Sequence, residues 1–135
     1  MKVVEYDASL LFDFFIANGL DFTSSRSFFG EDVISYVIYD KDKLIGGIAL
    51  SSSCGLNFID ALAVDKDYRG RGYGTLLVNK VLESCSKPVY VIPKAEELYS
   101  KLNFKYQDSW FLDRYGCNVC EKKGKSCFPK VMSLR

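Results

Sequence analysis

The sequence predicts a mixed α/β domain whose front half is an antiparallel meander. Three observations carry that expectation. Apolar, β-branched runs at 33–39, 44–50 and 56–64 follow one another across short polar turns, which is the pattern of hairpin-connected strands. Beyond them Leu77, Val78, Val81, Leu82 and Cys85 recur at helical spacing and form one apolar stripe. Between the two, the apolar strand ending at Val64 passes through a basic, glycine-rich turn directly into that helix. With 135 residues, 48% of them hydrophobic and 15% aromatic, about two-thirds of the chain's surface can be buried. That is one ordinary core, so residues 1–135 are read as a single domain.

In order along the chain, Val3, Val4 and Tyr6 give a short first strand. Leu11, Phe14, Phe15 and Asn18 share one helical face, so a helix is expected over about residues 8–18, with Asp7 as its cap and Asn18-Gly19 as its stop. Residues 20–32 lose periodicity and read as a loop or one short helix; Phe22, Phe28 and Phe29 there need burial. The run 40–43 is a turn, and 51–55 is read as another because serines and glycine dominate it. After the glycine turn and its helix, 89–92 is a strand behind Pro88, 95–102 a short helix, and 107–115 and 128–134 the last two strands. The expected order is βαβββαβαββ.

Composition removes several chemistries. The chain has no histidine, which excludes Ser-His and Cys-His nucleophilic devices, imidazole zinc ligation and imidazole as general base. A formal net charge of +1 argues against nucleic-acid or membrane-surface partners. The total conceals a split: residues 1–60 carry nine acids and four bases, residues 61–135 eight acids and fourteen bases. An anionic ligand near the second half and a cationic one near the first would fit, as would solvated faces that simply differ. No export signal or membrane-length apolar run is visible, so a cytoplasmic protein is expected, with its five cysteines reduced.

The stretch from Asp60 to Thr75 is the most informative. Backbone amides of a glycine-rich turn that opens a helix converge at the positive end of the helix dipole, which makes an anion cradle. Gly70, Gly72 and Gly74 permit angles and approaches a side chain would block, and Arg69 and Arg71 add charge. The phosphate loop of nucleoside triphosphatases requires G-x-x-x-x-G-K-[ST], but this turn has no lysine. The dinucleotide fingerprint requires G-x-G-x-x-G, but these glycines are each two apart. What fits is Q/R-x-x-G-x-G/A, met by Arg69, Gly72 and Gly74.

That segment, behind Leu62-Ala63-Val64-Asp65, resembles the coenzyme A pyrophosphate loop of the GNAT N-acetyltransferase superfamily. Downstream, Leu98-Tyr99-Ser100-Lys101-Leu102-Asn103-Phe104 resembles that family's second signature, L-Y-x-K-L-G-F. Asn103 stands where glycine is usual, a mild departure because asparagine tolerates a left-handed helix stop. The resemblance spans about residues 59–104. It implies a mostly antiparallel twisted sheet of about six to seven strands, splayed where acetyl-CoA binds and flanked by about four helices. It also implies acetyl transfer from acetyl-CoA, as co-substrate, to a primary amine by direct attack. Backbone groups of Leu62 and Val64, beside Ala63, would bond the pantetheine arm, and amides of Gly70, Arg71, Gly72, Tyr73, Gly74 and Thr75 would hold the pyrophosphate.

Tyr99 matches the family's general acid, a phenol able to protonate the departing thiolate; its plain alternative is helix packing. Asp60, on the face of Leu62 if alternation holds, is the candidate base, directly or through water, or else an acid that satisfies a neighbouring amide. Asp21, Glu31 and Asp32 could attract a cationic amine or be surface charges. The short chain leans toward a small acceptor, a polyamine, amino sugar or amino acid; a protein lysine or N-terminus and a non-catalytic CoA-binding module are the alternatives. A monomer or homodimer is expected. Cys117, Cys120 and Cys127 could supply three zinc ligands, but without a local fourth they read as ordinary thiols on a long hairpin, and no metal is expected.

Overall fold

The computed structural model describes residues 3–7, 10–18, 32–53, 56–91, 93, 95–107 and 131–135. In chain order these form β1 (Val3–Tyr6), α1 (Phe12–Ala17), β2 (Asp32–Asp40), β3 (Lys43–Ser53), β4 (Leu56–Val64), α2 (Tyr73–Ser84), β5 (Val89–Val91), α3 (Glu96–Lys101), β6 (Lys105–Gln107) and β7 (Val131–Leu134), with a 3-10 turn at Lys66–Tyr68 ahead of α2. The element order is the expected one. Three helices stand among the described residues, one fewer than about four, and the segment 20–31 lies outside them.

The seven strands make one sheet in the order β1-β2-β3-β4-β5-β7-β6. Every neighbouring pair is antiparallel except β4 and β5, which are parallel and joined through α2. Side chains of a strand alternate between faces, so each face needs its own cover. α2 and α3 cover one face, where Ile38, Ile48, Leu50, Ile59, Leu77, Val78, Val81, Tyr99, Phe104 and Met132 form the main buried cluster. Leu11 and Phe15 of the α1 segment cover the other face, packing with Val37, Ala49, Ala61 and Ala63. The stripes expected on both helices are thus the ones buried. The helix after β1 begins later than expected, with Leu11 at its cap position and no side-chain cap. Asp7 contributes its main-chain carbonyl, which accepts from the Leu10 amide at 3.0 Å.

Two further local features depart from the sequence reading. β3 continues through Ser51, Ser52 and Ser53, paired with Phe58, Asn57 and Leu56, where a turn was expected. Serine is a poor strand former, but the ladder to β4 and the bond from Ser52 Oγ to Asn57 Oδ1 at 2.5 Å outweigh that preference. The second feature is a register slip between β3 and β4: Leu50 faces Ile59 while Ala49 faces Ala61, leaving Asp60 as the extra residue of a β-bulge.

Candidate functional site

β4 is the strand that builds the site. Its parallel pairing with β5 ends at Ile59 opposite Val91, where β5 itself ends, while β4 runs on to Val64, so among the described residues 60–64 have no strand paired on that side. Which backbone groups face that unpaired side follows from the ladder on the other side. The Asp65 amide donates to the Ile45 carbonyl at 2.8 Å, and from there the register runs Val64 to Gly46, Ala63 to Gly47 and Leu62 to Ile48. Antiparallel pairs alternate between bonded and non-bonded. Val64 and Leu62 therefore turn their N–H and C=O away from β3, toward the β5 side. Arg69 bears this out by donating from Nε to the Val64 carbonyl at 2.9 Å.

The turn that follows is organised residue by residue. Asp65 accepts from the Asp67 amide at 2.9 Å, and that bond, with the Lys43 ammonium 3.5 Å away, holds its carboxyl below the usual value. Gly70 and Gly72 have φ of 78° and 86°, left-handed angles that are costly with any side chain. Gly72 is the N-cap of α2 and no side chain caps that end. The first bond of the helix runs from the Leu76 amide to the Gly72 carbonyl at 3.0 Å. The amides of Tyr73, Gly74 and Thr75 precede it and have no carbonyl within the helix to bond. No acid occupies the first turn, so the dipole's positive end stays unneutralised.

Gly74 serves a different purpose. A methyl group built on it would come within 2.8 Å of Leu98 Cδ1 and 4.0 Å of Leu62 Cδ2. The missing side chain lets the end of β4, the first turn of α2 and the start of α3 meet. Beside the turn, the Tyr68 ring carries Lys43 Nζ and the Arg71 guanidinium, each 5.5 Å from its centroid. Its hydroxyl donates to Asp40 Oδ2 at 2.7 Å, which raises the phenol's pKa.

α3 carries Tyr99 into the core, where it is 2% exposed in the cluster that also holds Ile59 and Val91, the last residues paired between β4 and β5. Burial pushes its phenol above the ordinary tyrosine range, so it stays protonated at neutral pH. Helix α3 ends as expected from Asn103. That residue takes φ of 71°, and the amides of Asn103 and Phe104 donate to the carbonyls of Ser100 and Tyr99 at 3.1 and 3.0 Å, the two bonds of a Schellman stop. Asp60 is half-buried, with Oδ2 enclosed. The alternation that would put it on the face of Leu62 is interrupted at Asp60 itself, because Ile59 and Leu62 belong with the same cluster and Ala61 with the opposite one.

A family model described as an acetyltransferase (GNAT) domain matches residues 31–106, more than half of the chain. The chain belongs to the GNAT acetyltransferase family. Solved structures carry the same fold. This GNAT chain is similar to an acetyltransferase of the GNAT family from Staphylococcus aureus, with a TM-score of 0.69 and 16% identity over 98% of this chain and 96% of that one. It is similar to Naa50 of Arabidopsis thaliana in complex with the bisubstrate analogue CoA-Ac-MVNAL, with a TM-score of 0.64 and 21% identity over 100% and 99% of the two chains. A third likeness is to N-acetylglutamate synthase from Neisseria gonorrhoeae, complexed with coenzyme A and L-arginine, with a TM-score of 0.71 and 16% identity over 98% of this chain and 33% of that one. At these identities the likeness is one of fold. No match is found among curated protein sequences.

Of the residues the GNAT signatures single out, Leu62, Ala63, Val64, Arg69, Gly70, Arg71, Gly72, Tyr73, Gly74 and Thr75 lie in one continuous β4-turn-α2 unit, with α3 set against it through Leu98. Asp32 opens β2 and is exposed. Asp21, Glu31, Cys117, Cys120 and Cys127 lie outside the described residues. Among the described residues no group of three metal-ligating side chains occurs, and no helix is long and apolar enough to cross a membrane. Two contributors escaped the sequence reading. The Arg69 bond to Val64 has no sequence signal, whereas the grip of Phe104 on Tyr99 was foreshadowed by Asn103 at the helix stop.

Proposed function

We propose that this acetyltransferase moves an acetyl group from acetyl-CoA to a primary amine on a small molecule, of the polyamine, amino sugar or amino acid kind, by direct attack. The observation that carries the reading is the run of outward-facing backbone groups at Leu62 and Val64 leading into the open amides of Tyr73, Gly74 and Thr75. That spacing suits a linear amide-bearing arm followed by a pyrophosphate, the two features acetyl-CoA presents. Gly70 and Gly72 give the turn its shape, and Arg69 and Arg71 add positive charge beside the phosphates. An outward amide of β4 polarises the thioester carbonyl and stabilises the negative charge that develops on its oxygen.

The amine nitrogen forms a bond to the acetyl carbon as the carbon-sulfur bond breaks, and its proton leaves to the Asp60 carboxylate, directly or through water. Tyr99, kept protonated by burial, hydrogen-bonds the departing sulfur and supplies its proton as the carbon-sulfur bond breaks. No histidine is needed for either transfer. The net negative charge of residues 1–60 favours a cationic acceptor on that side.

One observation favours a second reading, a CoA-binding module without transfer: Tyr99 is 2% exposed, enclosed for a proton donor. Release of free thiol from acetyl-CoA, followed with a panel of small amines and with lysine and N-terminal peptides, decides between them. Turnover with a small amine above the water rate is expected. Tight acetyl-CoA binding without thiol release for any acceptor gives the second reading, and turnover confined to peptides removes the small-molecule acceptor.

A further inference from the structure

We infer that Phe104 is a positioning residue for the Tyr99 phenol, an inference that rests on Tyr99 acting as the acid. Phe104 holds Tyr99 at both ends. Its amide donates to the Tyr99 carbonyl at 3.0 Å, and its ring packs edge-on against the Tyr99 ring, with centroids 5.2 Å apart and planes at 70°. Both side chains are 2% exposed. The two contacts are geometrically linked, because the amide bond requires the chain to reverse through the left-handed angle of Asn103 and that reversal delivers the Phe104 ring beside Tyr99.

The consequence concerns a helix of only six residues, too short to hold its own geometry. Tyr99 lies in the last turn of α3, so the stop at Asn103-Phe104 sets where its side chain starts. The edge-on ring then restricts the side chain's torsions on one flank. A phenol that must reach a sulfur atom loses effectiveness with displacements of about 1 Å. Phe104 touches no reacting atom in this account and acts through Tyr99.

The test is a double-mutant cycle in the full chain. Phe104→Leu is expected to lower kcat roughly tenfold, within what a positioned acid contributes, with KM for acetyl-CoA changed less than about twofold. Placed on Tyr99→Phe, where no phenolic proton remains to be positioned, the same change is expected to cost less than about twofold more. Asn103→Gly keeps the left-handed stop and is expected to retain full turnover, while Asn103→Ala strains it and reproduces part of the kcat loss. Asn103 is exposed, so that pair of variants gives the readout even if Phe104→Leu fails to fold. Equal kcat losses from Phe104→Leu in both backgrounds, or Asn103→Ala behaving as Asn103→Gly, overturn the positioning role and leave Tyr99 as the acid. Unchanged turnover in Tyr99→Phe alone overturns the acid, and the positioning role with it.

Discussion

Gly74 and Leu98 approach so closely that a single added methyl on the glycine would stand 2.8 Å from Leu98 Cδ1. The three glycines of the turn therefore serve two different needs, since Gly70 and Gly72 are held at positive φ with nothing within 4 Å of an added Cβ. Gly72→Ala is expected to cost about 1–2 kcal/mol of stability through backbone strain and to raise KM for acetyl-CoA at least roughly tenfold, as the cap angle that aims the amides is lost. Gly74→Ala meets only the tip of a leucine side chain, which can rotate; it should cost less than about 1 kcal/mol and change KM less than about threefold. Denaturant melts and initial rates on the two variants check the order, and Gly74→Ala proving the more damaging would refute it.

The alternation along β4 makes a prediction that needs no mutation. Amides of Ala61 and Ala63 face β3 and those of Leu62 and Val64 face the side with no paired strand. In hydrogen exchange followed by NMR, Ala61 and Ala63 should be protected in the free protein, and Leu62 and Val64 should become protected only with coenzyme A added. Early protection of all four contradicts the ladder phase derived from the bond between Asp65 and Ile45.

Arg69 contributes a bond rather than only a charge. Lysine lacks a donor at the Nε position and cannot reproduce the 2.9 Å contact with Val64, so Arg69→Lys and Arg69→Ala are expected to weaken acetyl-CoA binding by similar factors, about two- to fivefold for one exposed hydrogen bond. Calorimetric titration with coenzyme A measures both. Full affinity in Arg69→Lys would mean that charge alone matters.

The burial of Tyr99 predicts a pH effect on stability with a definite sign. Its folded pKa lies above the unfolded value near 10, so the folded state retains a proton that the unfolded chain releases. The contribution is whole below that value and is lost as pH rises past it. Tm should fall above about pH 10, and Tyr99→Phe should fall less steeply there than the parent chain. Parallel curves would show that Tyr99 is not shielded from solvent. At neutral pH the same substitution is expected to lower kcat roughly ten- to a hundredfold.

Much of this arrangement was legible in the residues themselves. The bounds of β4, the stripe of α2, the left-handed stop at Asn103 and the glycine turn all rest on local rules of periodicity and backbone angle. What was not legible depends on partners far along the chain. Ser51–Ser53 become strand only because Leu56–Phe58 fold back on them, and the bulge at Asp60 leaves no mark in a run of nine residues that reads as an uninterrupted strand. Gly74 could be recognised as a required glycine, but its reason, Leu98, belongs to another helix.

The register slip at Asp60 works on packing as a frameshift works on a message. Up to Ile59 the odd-numbered side chain is the one directed at α2 and α3; from Leu62 the even-numbered one is. The inversion lets one strand lay a large side chain against the helices on both sides of the slip while Ala61 and Ala63 keep the opposite face shallow beneath α1. Removing residue 60 would close the bulge and leave both sets on their present faces, because Ile59, Ala61 and Leu62 already stand opposite Leu50, Ala49 and Ile48. β4 thus has one residue to spare at position 60, whereas a one-residue change elsewhere in the strand turns over the side chains beyond it.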